Sequence, residues 1–310
     1  MQVNQQETTM SWQFELLAGP CGGVTEGPAW DGHALLFTHI PASRILSYDP
    51  AGGEVSVYRE GTNCANGLMF DAQGLLYGCE GGLAQDARRV VRYEEDGVTV
   101  LTDGFEGKRF NIPNDLAFDL QGRLWFTDPF YEGAAGPWSE DRGNKELDHD
   151  SVYRVDPHPD GGWTTARVTF DTTRPNGLLF SLDYTVLYVA QSGRREDEKR
   201  QLRAYPVRPG GALGEAEVLH DFGENRGIDG MVLDIEGNIV ATAGWDLGGP
   251  GPSIYVFAPD GRVIERHPFP AKRPTNCTFA GPDLSTLYVT TTEGHLFRTE
   301  TDRQGRLLYP

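Results

Sequence analysis

The sequence predicts an all-β fold, a six-bladed β-propeller built as a single domain over residues 1–310, and three observations predict it. Apolar runs are short and are broken roughly every 8 to 12 residues by Gly, Asp or Pro, in a chain with 39 Gly, 20 Pro and 11% aromatic residues. The runs alternate with period two, as in "RLWFTD" and "TVLYVAQ", and are rich in β-branched and aromatic residues, which argues against a helical solenoid. A hairpin-like segment also recurs six times along the chain, and such self-similarity is the signature of a repeat architecture.

The repeats, in order, are "EGPAWDGHALLFTHI" from Glu26, "NGLMFDAQGLLYGCE" from Asn66, "NDLAFDLQGRLWFTD" from Asn114, "NGLLFSLDYTVLYVA" from Asn176, "DGMVLDIEGNIVATA" from Asp229 and "NCTFAGPDLSTLYVT" from Asn276. Each opens on a polar anchor, runs through an apolar stretch, turns at a Gly- or Asp-containing tetrapeptide and continues into a second apolar stretch. The anchors lie 40, 48, 62, 53 and 47 residues apart, a mean of 50, which suits a four-stranded propeller blade. Third and fourth strands are legible in "SVYRVDP" then "ARVTFD", and in "LRAYPV" then "AEVLHDF". Residues 1–12 read as an N-terminal tail. Either "WQFELL" or the C-terminal "GRLLYP" can close the ring on the blade containing "HLFRTE", and the sequence does not choose between them.

A formal charge of −18 and a pI near 4.7 argue against nucleic acid and anionic membrane surfaces, whose affinity comes from Lys and Arg neutralising phosphates. A small-molecule partner remains. The four cysteines (Cys21, Cys64, Cys79, Cys277) form no C-x-x-C pair, and the first residues show no basic stretch leading into an apolar one, so the expectation is a cytoplasmic protein with free thiols. No apolar run approaches the roughly 18 residues that span a bilayer. Asn276-Cys277-Thr278 matches a glycosylation acceptor, read as coincidence.

The first strand of a propeller blade lines the central channel, so the six anchors would converge on the axis. Two carboxylates and four amides, with no histidine or thiol among them, form an oxygen-donor set of the kind hard cations prefer. Glu26 and Asp229 would balance one divalent ion. Asn-Gly and Asp-Gly are also strong hairpin-turn dipeptides, so Asn66-Gly67, Asn176-Gly177 and Asp229-Gly230 can equally be turns. No H-E-x-x-H, G-x-S-x-G, Walker loop or G-x-G-x-x-G after a strand occurs. His39, after the second strand of the first repeat, is a candidate for the channel mouth. "GRREDEKR" (193–200) reads as a solvated loop. The long segment 128–150, with Tyr131 and Trp138, and Trp245 further on, can cover a substrate or merely pack on the rim.

At these anchors the chain resembles the family of gluconolactonases, senescence marker proteins and luciferin-regenerating enzymes, six-bladed propellers that hydrolyse sugar lactones and related esters with one bound divalent ion. The carriers are "TEGPAW" with "LLFTHIPASRILSYDP", "EGKRFNIPNDLAFDLQGRLWFTDPFY", "RPNGLLFSLD" and "IDGMVLDIEGN". The resemblance implies that Glu26, Asn176 and Asp229 are metal ligands, that Asn114 is a fourth ligand or a substrate-binding amide, and that Asp229, with Glu26 the second candidate, is the general base. Asn66, Asn276, His39, Tyr131 and Trp245 complete the candidate substrate contacts. "CEGGLAQDARRVVRY" and the "FTDPFY" turn are similar to the gluconolactonase branch. Ile112 stands where animal lactonases carry a sugar-binding arginine, and His39 stands where many bacterial relatives carry an aspartate, with no histidine near Gly81.

The ion implied is Ca2+, because amide oxygens and a wide ring suit a large cation; Mg2+, Mn2+ and Zn2+ are the alternatives. The function expected is a metal-dependent aldonolactone hydrolase. The alternatives are a phosphotriesterase resembling diisopropyl-fluorophosphatase, in which Asp229 attacks phosphorus, and a non-catalytic calcium-binding propeller.

Overall fold

The structure is a computed structural model that describes residues 11–82, 87–131 and 145–310. Six antiparallel sheets ring a central axis as a six-bladed β-propeller. Blade 1 runs Thr25–Trp30, Leu35–His39, Arg44–Asp49 and Glu54–Glu60 from axis to rim. The inner strands of blades 2 to 6 are Ala65–Phe70, Leu116–Phe118, Pro175–Phe180, Ile228–Asp234 and Pro274–Ala280. Among the described residues the helical content is one 3-10 turn, Ile40–Ala42, and no helix is long and apolar enough to cross a membrane.

Burial explains why the runs are short and apolar. Every residue of Thr25–Trp30 is buried whereas the outer strand Glu54–Glu60 is almost wholly exposed. Six core clusters lie one at each blade-to-blade interface, and a small seventh lies around Ile40. Trp125, for example, belongs to blade 3 and packs edge-on against Phe180 of blade 4 at 5.4 Å. Each sheet therefore buries both faces against its neighbours, and closing the ring removes the exposed faces a lone blade would have.

The tetrapeptide turns lie between the first two strands of each blade, and their aspartates fold them. Asp31, Asp71, Asp119, Asp183, Asp234 and Asp283 each accept the backbone N–H two residues on, at 2.7 to 3.3 Å. This local bond is what favours aspartate there. The alternative reading of Asn-Gly and Asp-Gly as hairpin turns is overturned: Asn66-Gly67, Asn176-Gly177 and Asp229-Gly230 lie inside inner strands. In each the register slips at the dipeptide. The fourth strand of blade 3 also falls earlier than "ARVTFD", at Trp163–Arg167. The chain leaves the sheet at Val168, where Thr169 Oγ1 and the Val168 N–H take up the backbone of Val152.

The N-terminal strand closes the ring, with Glu15–Ala18 pairing with Leu296–Glu300 as the outer strand of blade 6. Trp12, just before it, is buried and stacked on His267 at 4.0 Å. The C-terminal Gly305–Arg306 pairs instead with Leu233 and Asp234 on the inner strand of blade 5. From there the chain crosses the axis on the face opposite the anchors, and the Tyr309 ring lies tilted against Phe70 of blade 2 at 5.6 Å. Leu307, Leu308 and Tyr309 line an apolar cavity of about 170 Å³ on that face.

Candidate active site

The glycine that follows most anchors explains how they approach one another. A Cβ on Gly27 would lie 2.2 Å from the Asn66 carbonyl oxygen, one on Gly67 2.6 Å from that of Asn114, and one on Gly177 2.6 Å from that of Asp229. The inner strands of blades 1, 2 and 4 thus pack backbone to backbone against the next, which only glycine permits.

The result is a cavity of about 260 Å³ on the anchor face, lined by Glu26, Asn66, Asn114, Asn176 and Asp229 from five consecutive blades, with Tyr131. Asn176 donates through Nδ2 to Asp229 Oδ1 at 2.6 Å and to the Tyr131 hydroxyl at 3.0 Å, and Asn114 Nδ2 donates to the same hydroxyl at 2.9 Å. With their N–H groups so engaged, both amides turn their carbonyl oxygens away from Tyr131. Burial, and then the neighbouring Asp229, push the Glu26 carboxyl well above the ordinary range, although the Gly27 N–H at 2.8 Å pulls it back. Asn66 Oδ1 is buried with no hydrogen-bond partner among the described residues.

Among the described residues no three His, Cys, Asp or Glu side chains gather to hold a metal ion. An ion here would depend on amide oxygens as well as on the two carboxylates. The donor set fits that demand: two carboxylates, one of them disfavoured in its charged form, and a buried amide oxygen lacking a partner.

The other sequence candidates lie off the wall of this cavity. Asn276 lines the opposite cavity with Asp115, its Oδ1 accepts the Cys277 N–H at 2.8 Å, and its side-chain amide also reaches the Glu26 and Asp115 carboxyls, lowering both. Asn276, Cys277 and Thr278 are all buried, so the glycosylation-like triplet is inaccessible. His39 is buried beside the 3-10 turn, its Nε2 without a partner among the described residues, and it does not line the anchor cavity. Trp245 is half-buried between the second and third strands of blade 5, also off the cavity wall. Trp138 lies outside the described residues. All four cysteines are unpaired.

Two groups of residues were not singled out from sequence. Asp115, beside Asn114, is half-buried, and desolvation raises its carboxyl to about 7. Arg194, Arg226 and Arg273 line the anchor cavity. Arg226 makes an ion pair with Asp229 Oδ2 and donates through Nη1 to the carbonyls of Gly244 and Pro274 at 3.1 and 3.3 Å. Burial, and then Arg226, lower the Arg273 guanidinium to about 10. Arg194 belongs to the segment read as a solvated loop and is exposed like Arg195, Glu196 and Asp197, yet it also lines the cavity. A signal for two of these was present: Arg226 and Arg273 each stand three residues ahead of an anchor.

The family described as SMP-30/Gluconolactonase/LRE-like region matches residues 24–293. The gluconolactonase of Zymomonas mobilis is 31% identical over 293 residues, covering 86% of this chain and 75% of that protein. The pentonolactonase XacC of Haloferax volcanii is 28% identical over 281 residues, covering 87% and 81%. The solved structure of a gluconolactonase from Xanthomonas campestris superposes with a TM-score of 0.77 at 30% identity, covering 93% of this chain and 89% of that one.

Proposed function

The chain belongs to the SMP-30/gluconolactonase/LRE-like family, and from that premise we infer that it is a divalent-metal-dependent lactonase that opens a sugar lactone ring. The observation that carries the reading is the meeting of Glu26, Asn114, Asn176 and Asp229 from four blades in one cavity. The lactonases among the relatives support it, the gluconolactonase at 31% identity, while a diisopropyl-fluorophosphatase at 28% keeps a phosphotriesterase as the second reading.

Glu26, Asn114, Asn176 and Asp229 would hold the ion, with Ca2+ the first choice for so amide-rich a donor set. When bound, a divalent cation supplies Lewis-acid stabilisation of the charge that develops on a carbonyl oxygen. The chain's own residues do the rest. Asp229 takes the proton of the water that adds to the lactone carbonyl, with its two oxygens fixed by Asn176 and Arg226. Tyr131 orients both amides, and with Val24 and Ile40 it narrows the cavity against bulk water. The C–O bond of the ring breaks, its oxygen takes a proton to become a hydroxyl, and the new carboxylic acid ionises at neutral pH. One proton is released per turnover.

That proton is the readout. A panel of five- and six-membered aldonolactones, tested on chelator-stripped protein before and after adding Ca2+, Mg2+, Mn2+ or Zn2+, is expected to release protons faster than the uncatalysed rate only with an ion present. Hydrolysis at the uncatalysed rate across the panel with every ion would overturn the lactonase reading.

A further inference from the structure

The mouth of the anchor cavity is divided by chemistry. Two residues ahead of the anchors of blades 1, 2 and 3 stand Val24, Cys64 and Ile112. Cys64 and Ile112 cluster with Ile40, and Val24 and Tyr131 pack against them. Two or three residues ahead of the anchors of blades 4, 5 and 6 stand Arg174, Arg226 and Arg273, joined by Arg194 from the blade 4 connection. One half of the mouth is apolar and the other is cationic.

The charges on the cationic half are not used up by the acids nearby. Three arginines against two carboxylates line the cavity, in a chain whose formal charge is −18. Arg226 is paired with Asp229 and Arg174 with Glu198 at 3.0 Å. Arg194 and Arg273 form no ion pair among the described residues, and Arg273 Nε is buried with no hydrogen-bond partner there. Arg174, 2% exposed, keeps Nε and Nη1 unpartnered as well. Gathering like charges in a partly desolvated cavity is unfavourable unless an anion joins them, and guanidinium groups suit planar carboxylate and tetrahedral oxyanions alike.

We propose that Arg194, Arg226 and Arg273 form an anion subsite, and that the lactone taken by the axial site carries a second, anionic group, a carboxylate, phosphate or sulfonate, on carbon remote from the reacting carbonyl. The substrate class rests on the lactonase reading above; the anion subsite itself does not. The side of the cavity away from the arginines is lined by Val24, Ile40 and Tyr131 and carries no cation among the described residues, so the cationic grip comes from blades 4 to 6.

The test has two arms. In the first, sulfate is titrated calorimetrically into chelator-stripped wild type, Arg194→Gln and Arg273→Gln. Saturable binding weakened at least tenfold in each variant is expected. Arg194 lies on the exposed rim, so its loss leaves the fold intact. In the second arm, with ion present, a hexaric acid lactone bearing a terminal carboxylate is compared with the neutral aldonolactone of the same ring. A KM at least tenfold lower for the acid lactone, with that preference shrinking in both variants, is expected. Sulfate that fails to bind, or binds all three proteins equally, overturns the subsite even if neutral lactones turn over. Sulfate binding that depends on the arginines without turnover of either lactone upholds the subsite and removes the lactone from the assignment.

Discussion

Asn176 donates through Nδ2 to Oδ1 of Asp229 at 2.6 Å, tying the inner strands of blades 4 and 5 together at the mouth of the channel. Arg226 holds the other carboxylate oxygen, so the side chain has one orientation and its charge faces the cavity. Asp229→Asn keeps the size but removes the charge and one acceptor. Lactone hydrolysis should fall by roughly 10²- to 10⁴-fold, the usual contribution of a positioned base. A loss under tenfold, measured by proton release, would take the base role from Asp229.

Glu26 has no arginine partner among the described residues and is both desolvated and repelled by Asp229. Glu26→Gln removes that repulsion and can still accept the Gly27 N–H. Metal-free Glu26→Gln should therefore melt a few degrees above wild type, and the increase that divalent ions give wild type should vanish. Calorimetric scans with and without Ca2+ check both signs, and an ion-dependent rise equal to that of wild type would exclude Glu26 as a ligand.

Gly27→Ala would place a methyl 2.2 Å from the Asn66 carbonyl oxygen at a residue with φ of +49°. The inner strands of blades 1 and 2 must then separate. A destabilisation of more than about 2 kcal/mol is expected in urea unfolding, as for other backbone clashes at special φ. A change within about 0.5 kcal/mol would show that the strands do not pack as described.

Asp128 supplies the pH dependence. Its carboxylate accepts the N–H groups of Asn111 and Ile112, each at 2.9 Å, and so fixes the approach to Asn114. Burial raises it well above its ordinary range, with Asp150 adding to the effect. Between the unfolded value near ~3.9 and the higher folded one, the folded protein keeps a proton that the unfolded chain has released. Stability from this group is thus full below the unfolded value and falls as pH rises, by up to ~1.4 kcal/mol per unit. Asp128→Asn removes the titration and leaves one N–H poorly matched, which costs about 1–3 kcal/mol. The gap between wild type and variant should be widest near pH 4 to 5 and narrow toward pH 7; a constant gap would contradict the assignment.

The blades were legible because their physics repeats. Inner strands buried on both faces, Asp-folded turns and anchors at one end recur six times, so Glu26, Asn66, Asn114, Asn176 and Asp229 could be aligned without coordinates. Asn276 shows the limit: the alignment places it among the anchors and its side chain does reach the Glu26 carboxyl, but it lines the opposite cavity, where its Oδ1 takes the Cys277 N–H. Arg194 comes from a connection that does not repeat, and a loop's charge pattern alone does not tell which member reaches inward. Arg194 and Arg195 are both exposed and both give their backbone N–H to Glu198, at 2.7 and 3.1 Å, yet only Arg194 lines the cavity. Ring closure was undecided because "WQFELL" and "GRLLYP" are both short apolar strands, and pairing is settled by tertiary contacts such as Trp12 on His267.

The most direct test couples occupancy to turnover in one sample. Ca2+ is titrated into chelator-stripped protein while binding heat and proton release from an aldonolactone are followed together, in wild type and Glu26→Gln. Turnover should rise in proportion to occupancy of a single site, and both should be lost in the variant. Full turnover in the presence of chelator, or a saturated site with only the uncatalysed rate, would contradict an axial metal centre that opens lactones.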